Sequence, residues 1–383
     1  PPLYWFQPHA QSLTLGGGFS YNTETSPGPA IPTIESLKKF LPADKLWPIN
    51  EAWSTHAGGN EFAKLDNFND GMNASYGKPA DLPDYLRKSQ AMAYEGERAM
   101  YEAYSGHRYN ATGVIQWMLN NAWPSVYWHL YDYYLQAAGG YYGARKANES
   151  VHVQYSYDDR GVVVVNNLYH PIAGARVNAD LYDNDLKKIS SQKKQLTLPA
   201  DGSERVLEVP QTTAPVSFLK LELHDSSGKV LSSNFYWLAA DQPTFDWDKT
   251  TYVHTPASKF ATLTALNQLP EVEVNSTVST SQANGRQLLH VTVTNPGKSL
   301  AFQVALRAYG KKDGSDILPV LWDDNYISLL PGESRTVTAS IAPEDLHGDK
   351  PGVEVSGWNV KTSTVSLITT GSKKEAHAHA KSH

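Results

Sequence analysis

The stretch DLPDYLRKSQAMAYEGERAMYEAY at residues 81–104 decides the fold, together with the run GVIQWML at residues 113–119. In the first stretch, small and apolar side chains recur every three or four residues, which predicts one long amphipathic helix. Asp81 is a suitable N-cap, and Gly106 follows the last periodic residue. The second run is mostly apolar and lies between turn residues, which is typical of a strand buried on both faces. A helix followed by a buried strand indicates a parallel α/β fold.

A similar unit precedes this one. Residues 18–22 form a strand-like run, and a short helix is predicted over residues 34–41, after Pro32 and Thr33. Two strands cannot close a sheet or bury both of its faces, so residues 1–148 are expected to pack against an upstream part of the same protein. The absence of an initiator Met before Pro1 agrees with that expectation.

The pattern changes after residue 150 to short alternating apolar runs separated by turns. These runs predict an immunoglobulin-like β-sandwich of seven strands over residues 149–243 and a second sandwich over residues 244–370. The predicted strands cover residues 151–155, 161–166, 175–181, 204–209 and 218–223 in the first sandwich, and residues 288–294, 301–308, 334–341 and 353–360 in the second. The polar, His-rich segment 371–383 is predicted to be disordered rather than to bind metal.

Composition excludes several classes of function. Lys and Arg number 33 against 39 Asp and Glu, and the net charge of −6 gives no reason to expect binding to nucleic acid or to an anionic membrane. Cysteine is absent, which excludes disulfides, thiolate metal sites and cysteine nucleophiles. Aromatic residues make up 11% of the chain, and such rings either fill sandwich cores or stack against sugars.

Glu24 is the first candidate for chemistry. It follows an apolar strand and precedes the turn residues Pro27 and Gly28, and reactive groups of barrel enzymes lie at such strand ends. From position alone, a carboxylate here is a nucleophile, a base, a metal ligand, a helix cap or a surface charge. The triplet at residues 16–18 lacks the Lys of a phosphate-binding loop, and residues 323–325 lack the ligand pattern of a calcium loop. We therefore expect no cofactor and no metal.

The surroundings of Glu24 narrow these alternatives, because several longer motifs resemble glycoside hydrolase family 2, and within it the exo-β-D-glucosaminidases. The likeness covers nearly all of the chain except its His-rich end. The motifs are PPLYW at residues 1–5, GVIQWMLNNAWPSVYWHLYDYY at 113–134, YGARKANE at 142–149, VHVQYSYDD at 151–159, LPVLWDDNYISLLPGES at 318–334 and VSGWNV at 355–360.

This resemblance implies a multidomain protein in which the C-terminal part of a (β/α)8 TIM barrel is followed by two immunoglobulin-like sandwiches. It also implies a retaining glycosidase with Glu24 as the nucleophile, whose acid/base partner lies upstream of Pro1, so the chain alone is expected to be inactive. Trp117 takes the position of an aromatic ring under the sugar, with a place in the barrel wall as the alternative. Trp123 is expected to hold the turn after that strand, with contact to the substrate as the alternative.

Three other residues complete the predicted substrate site. Trp53 and His56 follow the unit of Glu24 and are predicted to line the same mouth, although His56 is equally consistent with a structural loop histidine. Asn120 is predicted to bind sugar hydroxyls, with capping of the strand end as the alternative.

The resemblance implies exo-acting removal of β-1,4-linked glucosamine from chitosan or its oligosaccharides. A β-mannosidase, including the mannosylglycoprotein endo type, is the alternative within the enzyme class. A non-catalytic carbohydrate-binding or spacer module is the alternative outside it. Because polymers such as chitosan are met outside the cell, an extracellular or periplasmic location is expected.

Overall fold

The computed structural model describes residues 20–60, 62–251 and 255–365. The PPLYW motif, the triplet at residues 16–18 and the His-rich segment predicted to be disordered lie outside the described residues. The described residues of the first region form two strands and five α-helices: β1 Ser20–Thr25, α1 Ile34–Phe40, α2 Glu51–Thr55, α3 Asp66–Tyr76, α4 Leu82–Gly106, β2 Ala111–Gln116 and α5 Gly139–Ala147.

Strands β1 and β2 pair in parallel, with Ser20 opposite Ala111 and Thr25 opposite Gln116. The long predicted helix is confirmed as α4, and the Asp81 side chain accepts a hydrogen bond from the Asp84 N–H at 2.9 Å, as an N-cap should. The expectation that the second strand is buried on both faces is wrong for this chain. Ile115 is 48% exposed, because β2 has β1 as its only partner among the described strands.

Helix α5 lies against α4 at a distance that only glycine permits. A Cβ added to Gly139 would lie 2.3 Å from the Gln90 carbonyl oxygen, and one added to Gly143 would lie 2.2 Å from that of Tyr94. These two glycines, one turn apart on α5, therefore let the helix backbones touch.

The first sandwich has seven strands, the expected number, but the sequence located only five of them, since Lys188–Leu198 and Val230–Ala239 were not among the predicted ranges. A sheet of order β3-β4-β7 faces a sheet of order β6-β5-β8-β9, and all neighbouring pairs are antiparallel. Alternate side chains of both sheets, such as Val164 and Leu221, fill the core between them. The strands are β3 Val151–Tyr155, β4 Gly161–Asn166, β5 Ile172–Tyr182, β6 Lys188–Leu198, β7 Gly202–Glu208, β8 Val216–His224 and β9 Val230–Ala239.

A short antiparallel pair, β10 Thr244–Phe245 and β11 Ala257–Lys259, leads to the second sandwich. That sandwich consists of two four-stranded sheets, of order β12-β13-β17-β15 and β16-β14-β18-β19. Its strands are β12 Asn275–Ala283, β13 Arg286–Thr294, β14 Ala301–Gly310, β15 Leu321–Trp322, β16 Ile327–Leu329, β17 Ser334–Ile341, β18 Pro351–Ser356 and β19 Ser363–Val365.

A second apolar cluster, separate from the interior of the first sandwich, joins the three regions. Trp237 of β9 is 1% exposed and lies edge-on to Phe302 of β14, with ring centroids 5.1 Å apart. On its other side Trp237 contacts Tyr94 of α4, and its indole N–H donates to the Tyr76 hydroxyl at 3.0 Å. Aromatic packing therefore joins the helices and both sandwiches at a single junction.

Buried polar groups reinforce this junction. His152 of β3 bridges Glu102 of α4 at 2.9 Å and Glu149 at 3.2 Å. Burial alone would lower the pKa of His152, but these two carboxylates outweigh it and raise that pKa. Lys146 of α5 pairs with Asp324 of the second sandwich at 3.0 Å. Ion pairs thus link the first region to each sandwich.

Candidate active site

Glu24 and Trp117 lie at the carboxyl ends of the two neighbouring parallel strands. Glu24 is the fifth residue of β1 and is exposed, with its N–H donating to Oδ1 of Asn22 at 3.1 Å. Trp117 follows the last residue of β2, and its N–H donates to the carbonyl oxygen of Thr25 at 2.8 Å. The strand pairing therefore brings the predicted nucleophile and the predicted sugar-stacking ring to one edge of the sheet.

The segment after β2 is held in place by Gln116. Its side-chain amide donates to the carbonyl oxygen of Trp128 at 3.0 Å and to that of Trp117 at 3.1 Å. The Met118 N–H also donates to Trp128 O, at 2.7 Å, and the Trp117–Met118 peptide bond is cis. The Trp117 side chain remains 46% exposed, so its ring is accessible on this edge.

The prediction that Trp53 lines the mouth is wrong. Its side chain is 0% exposed, lies edge-on to Tyr85 with centroids 5.8 Å apart, and donates its indole N–H to Lys45 O at 3.1 Å. The five-residue helix α2 turns this ring into the core, and a buried ring offers no surface to a sugar.

His56 and Asn120 both lie on loops at this end of the sheet. Nδ1 of His56 is 2.9 Å from the carbonyl oxygen of Pro124, so this side chain ties the end of α2 to the loop that follows β2. That contact favours the structural alternative, although part of the ring remains exposed. Asn120 is exposed, and its backbone forms a bridge with Tyr131. The capping alternative fits the next residue better, because buried Asn121 donates to Tyr127 O at 3.3 Å.

Sequence reasoning missed the exposure of Trp123. This residue is 46% exposed, and its ring stacks on that of His56 with centroids 5.1 Å apart and planes 24° apart. The density of aromatic residues between positions 117 and 134 was the available signal, but sequence spacing does not reveal which rings face solvent.

Neither a metal-ligand cluster nor a membrane-spanning helix is found in the described part of the chain. No group of three or more His, Asp or Glu side chains there is arranged to hold a metal ion. No helix over the same residues is long and apolar enough to cross a membrane.

Each of the two sandwiches matches the model of a known domain family. Residues 252–360 match the model of the exo-beta-D-glucosaminidase Ig-fold domain, and residues 159–240 match that of the mannosidase Ig/CBM-like domain. The chain therefore carries the immunoglobulin-like domains of the glucosaminidase and mannosidase group of glycoside hydrolases.

Comparison of whole chains is more specific. The sequence is 40% identical to an exo-beta-D-glucosaminidase of Streptomyces avermitilis, over 95% of this chain and 42% of that protein. The crystal structure of Amycolatopsis orientalis exo-chitosanase CsxA superposes with a TM-score of 0.90 at 38% identity, covering 95% of this chain and 44% of that chain. An Asp→Ala variant of that exo-chitosanase, in complex with PNP-beta-D-glucosamine, superposes with a TM-score of 0.89 at 38% identity, covering the same shares of the two chains.

These matches confirm the resemblance to glycoside hydrolase family 2. Within that family, the chain is similar to the exo-β-D-glucosaminidases. The chain spans about two fifths of the length of these relatives.

Proposed function

We propose that this chain is the nucleophile-bearing part of a retaining exo-β-D-glucosaminidase that removes terminal β-1,4-linked glucosamine from chitosan or its oligosaccharides. The observation that carries the proposal is the placement of Glu24 and Trp117 at the carboxyl ends of adjacent parallel strands. The similarity of nearly the whole chain to exo-β-D-glucosaminidases supports the choice of sugar.

In this proposal residues 1–148 form the C-terminal part of a (β/α)8 barrel, and residues 149–243 and 244–370 form the two sandwiches. The helices between β1 and β2 agree with a barrel, in which each strand is followed by a helix. The exposure of Ile115 on β2 also agrees, because a neighbouring barrel strand contributed by an upstream segment would cover that side.

The proposed reaction needs two carboxyl groups about 5 to 5.5 Å apart. The Glu24 carboxylate attacks the anomeric carbon and forms a glycosyl ester, while an upstream carboxylic acid protonates the leaving oxygen. The same upstream group then removes a proton from water, which attacks the anomeric carbon, breaks its bond to the Glu24 carboxylate oxygen and releases glucosamine and free Glu24. Trp117 holds the apolar face of the sugar during both steps. Neither step requires a cofactor or a metal.

The substrate also suggests the location. A polysaccharide such as chitosan is encountered outside the cell, so we propose that the protein acts in an extracellular or periplasmic space.

Replacement of Glu24 in the complete protein tests the mechanism. Glu24→Gln is expected to lower kcat on an aryl β-glucosaminide at least about 10³-fold while substrate binding is retained. Glu24→Ala supplied with azide is expected to release an α-glucosaminyl azide, since azide then attacks from the face that the carboxylate has vacated. Glu51→Gln, which changes an exposed carboxylate at the start of α2, is the control and should keep full activity. Unchanged turnover of Glu24→Gln would reject the proposal in favour of a non-catalytic module.

A β-mannosidase is the second candidate, because residues 159–240 match the mannosidase-type domain. Rates on aryl β-glucosaminide and aryl β-mannoside distinguish the two, and a higher kcat/KM on the mannoside would move the assignment to the mannosidases.

A further inference from the structure

Five aromatic rings form a continuous row that joins the end of α1, the end of α2 and the segment after β2. The ring of His56 lies between those of Trp123, with centroids 5.1 Å away, and Phe40, with centroids 4.5 Å away. Phe40 is nearly parallel to Tyr134 at 6.5 Å, and Tyr134 meets Tyr133 edge-on at 5.2 Å. The two ends of the row, Trp123 and Tyr133, are each 46% exposed.

Backbone hydrogen bonds place this row at the same end of the sheet as Glu24. The Ala30 N–H, shortly after β1, donates to Val126 O at 3.1 Å, and the Val126 N–H donates to His56 O at 3.0 Å. Loops that follow both strands are therefore joined at the carboxyl ends of those strands. Because Trp123 is six residues beyond Trp117, the Cα atoms of the two residues are less than about 22 Å apart. This distance corresponds to a few sugar units.

The exposure of Trp123 differs from that of tryptophans that serve in packing. Trp53, Trp237 and Trp358 are all at most 3% exposed, whereas Trp117 and Trp123 are the only exposed tryptophans among the described residues. One face of the Trp123 indole stacks on His56, and the side chain is 46% exposed. A supported, exposed indole face is suited to the axial hydrogens of a pyranose ring and, through cation–π attraction, to an ammonium group.

We propose that Trp123, supported by His56, is a second sugar-binding surface that holds glucosamine units on the leaving-group side of the bond cleaved at Glu24. This inference rests on the proposed function. An exo-acting enzyme takes the terminal sugar at Trp117, so the remainder of the oligomer extends across the same end of the sheet toward further rings. Stacking of one sugar on indole changes affinity by a factor of about 3 to 10.

The test compares substrates of different length in the complete protein. In Trp123→Ala, kcat/KM for a glucosamine pentamer is expected to fall about 3- to 10-fold relative to kcat/KM for an aryl β-glucosaminide. Trp123→Phe should recover most of that ratio, because it keeps an aromatic face. Tyr169→Ala is the control, since Tyr169 is 93% exposed on the first sandwich, and both substrates should be unaffected. An unchanged ratio in Trp123→Ala, or an equal loss on both substrates, would overturn the proposal.

A binding measurement separates this inference from the proposed function. Calorimetry of the glucosamine pentamer with Glu24→Gln protein is expected to show tighter binding than with the Glu24→Gln, Trp123→Ala double variant. If the wild-type protein cleaves no glucosaminide, the proposed function fails. If it does cleave glucosaminides and the two variants bind the pentamer equally, only the assignment of Trp123 fails.

Discussion

Replacing Gly143 by Ala should destabilise the protein, because its neighbour on α4 is backbone. The new Cβ would lie 2.2 Å from the Tyr94 carbonyl oxygen, and Cβ atoms essentially never approach another heavy atom within 3.0 Å. Helix α5 must therefore move by at least 0.8 Å, the difference between these distances. Overpacking costs about 1–3 kcal/mol, and a fixed carbonyl favours the upper value. Because Ala has a higher helix propensity than Gly, about 1 kcal/mol of this cost is offset. We therefore expect the free energy of unfolding to fall by about 2 kcal/mol.

Gly140→Ala on the same helix provides the matched control. Its Cβ would lie 3.3 Å from Cγ of Glu97, a side-chain atom that can shift by a few tenths of an ångström. Its unfolding free energy should therefore be equal to or above that of the wild type. Denaturant unfolding of both variants, followed by tryptophan fluorescence, measures the difference. If Gly143→Ala is as stable as Gly140→Ala, the close contact between the helices is not as described.

Two further predictions concern buried ionisable groups. The pKa of His152 is raised because its protonated ring binds two carboxylates in the folded state, and these contacts stabilise the fold. This stabilisation is fully present below about pH 6.5 and is lost as the pH rises through the raised pKa. His152→Gln should therefore cost more stability at pH 6 than at pH 9. Unfolding curves at both pH values check this, and an equal cost would contradict it. Burial raises the pKa of Glu97 well above its usual value, and Oε2 of Glu97 has no hydrogen-bond partner in the described structure. Glu97→Gln should therefore stabilise the protein increasingly as the pH rises from 4 to 8, and a pH-independent difference would contradict this.

The elements that the sequence predicted well are those with strong periodicity. The stretch that became α4 has apolar side chains at helical spacing along its whole length, so packing and local preference agree. Strand β6 at Lys188–Leu198 was missed, since it lies at a sheet edge and even its half-buried positions include the polar residues Gln192 and Lys194. Such residues protect an edge but give little apolar signal.

The candidate site was predicted in part, because strand ends can be located from sequence while ring orientation cannot. Glu24 was selected by its place at the end of a strand, whereas the role of Trp117 was implied by the resemblance. The parallel pairing of β1 with β2 places both at the same edge of the sheet. Trp53 was misplaced because α2 has only five residues, too few for periodicity to show which side faces the core. The exposure of Trp123 depends on contact with His56, 67 positions earlier in the chain. Such a long-range contact has no local signature.

The aromatic junction around Trp237 limits how this polypeptide can be divided. A fragment that contains either sandwich alone would leave Trp237 or Phe302 without its partner ring. It would also expose an apolar surface that promotes aggregation. Either sandwich alone is therefore a poor candidate for fusion to another catalytic domain. Any breakpoint for recombination within the described chain would have to keep α4, β9 and β14 in the same piece.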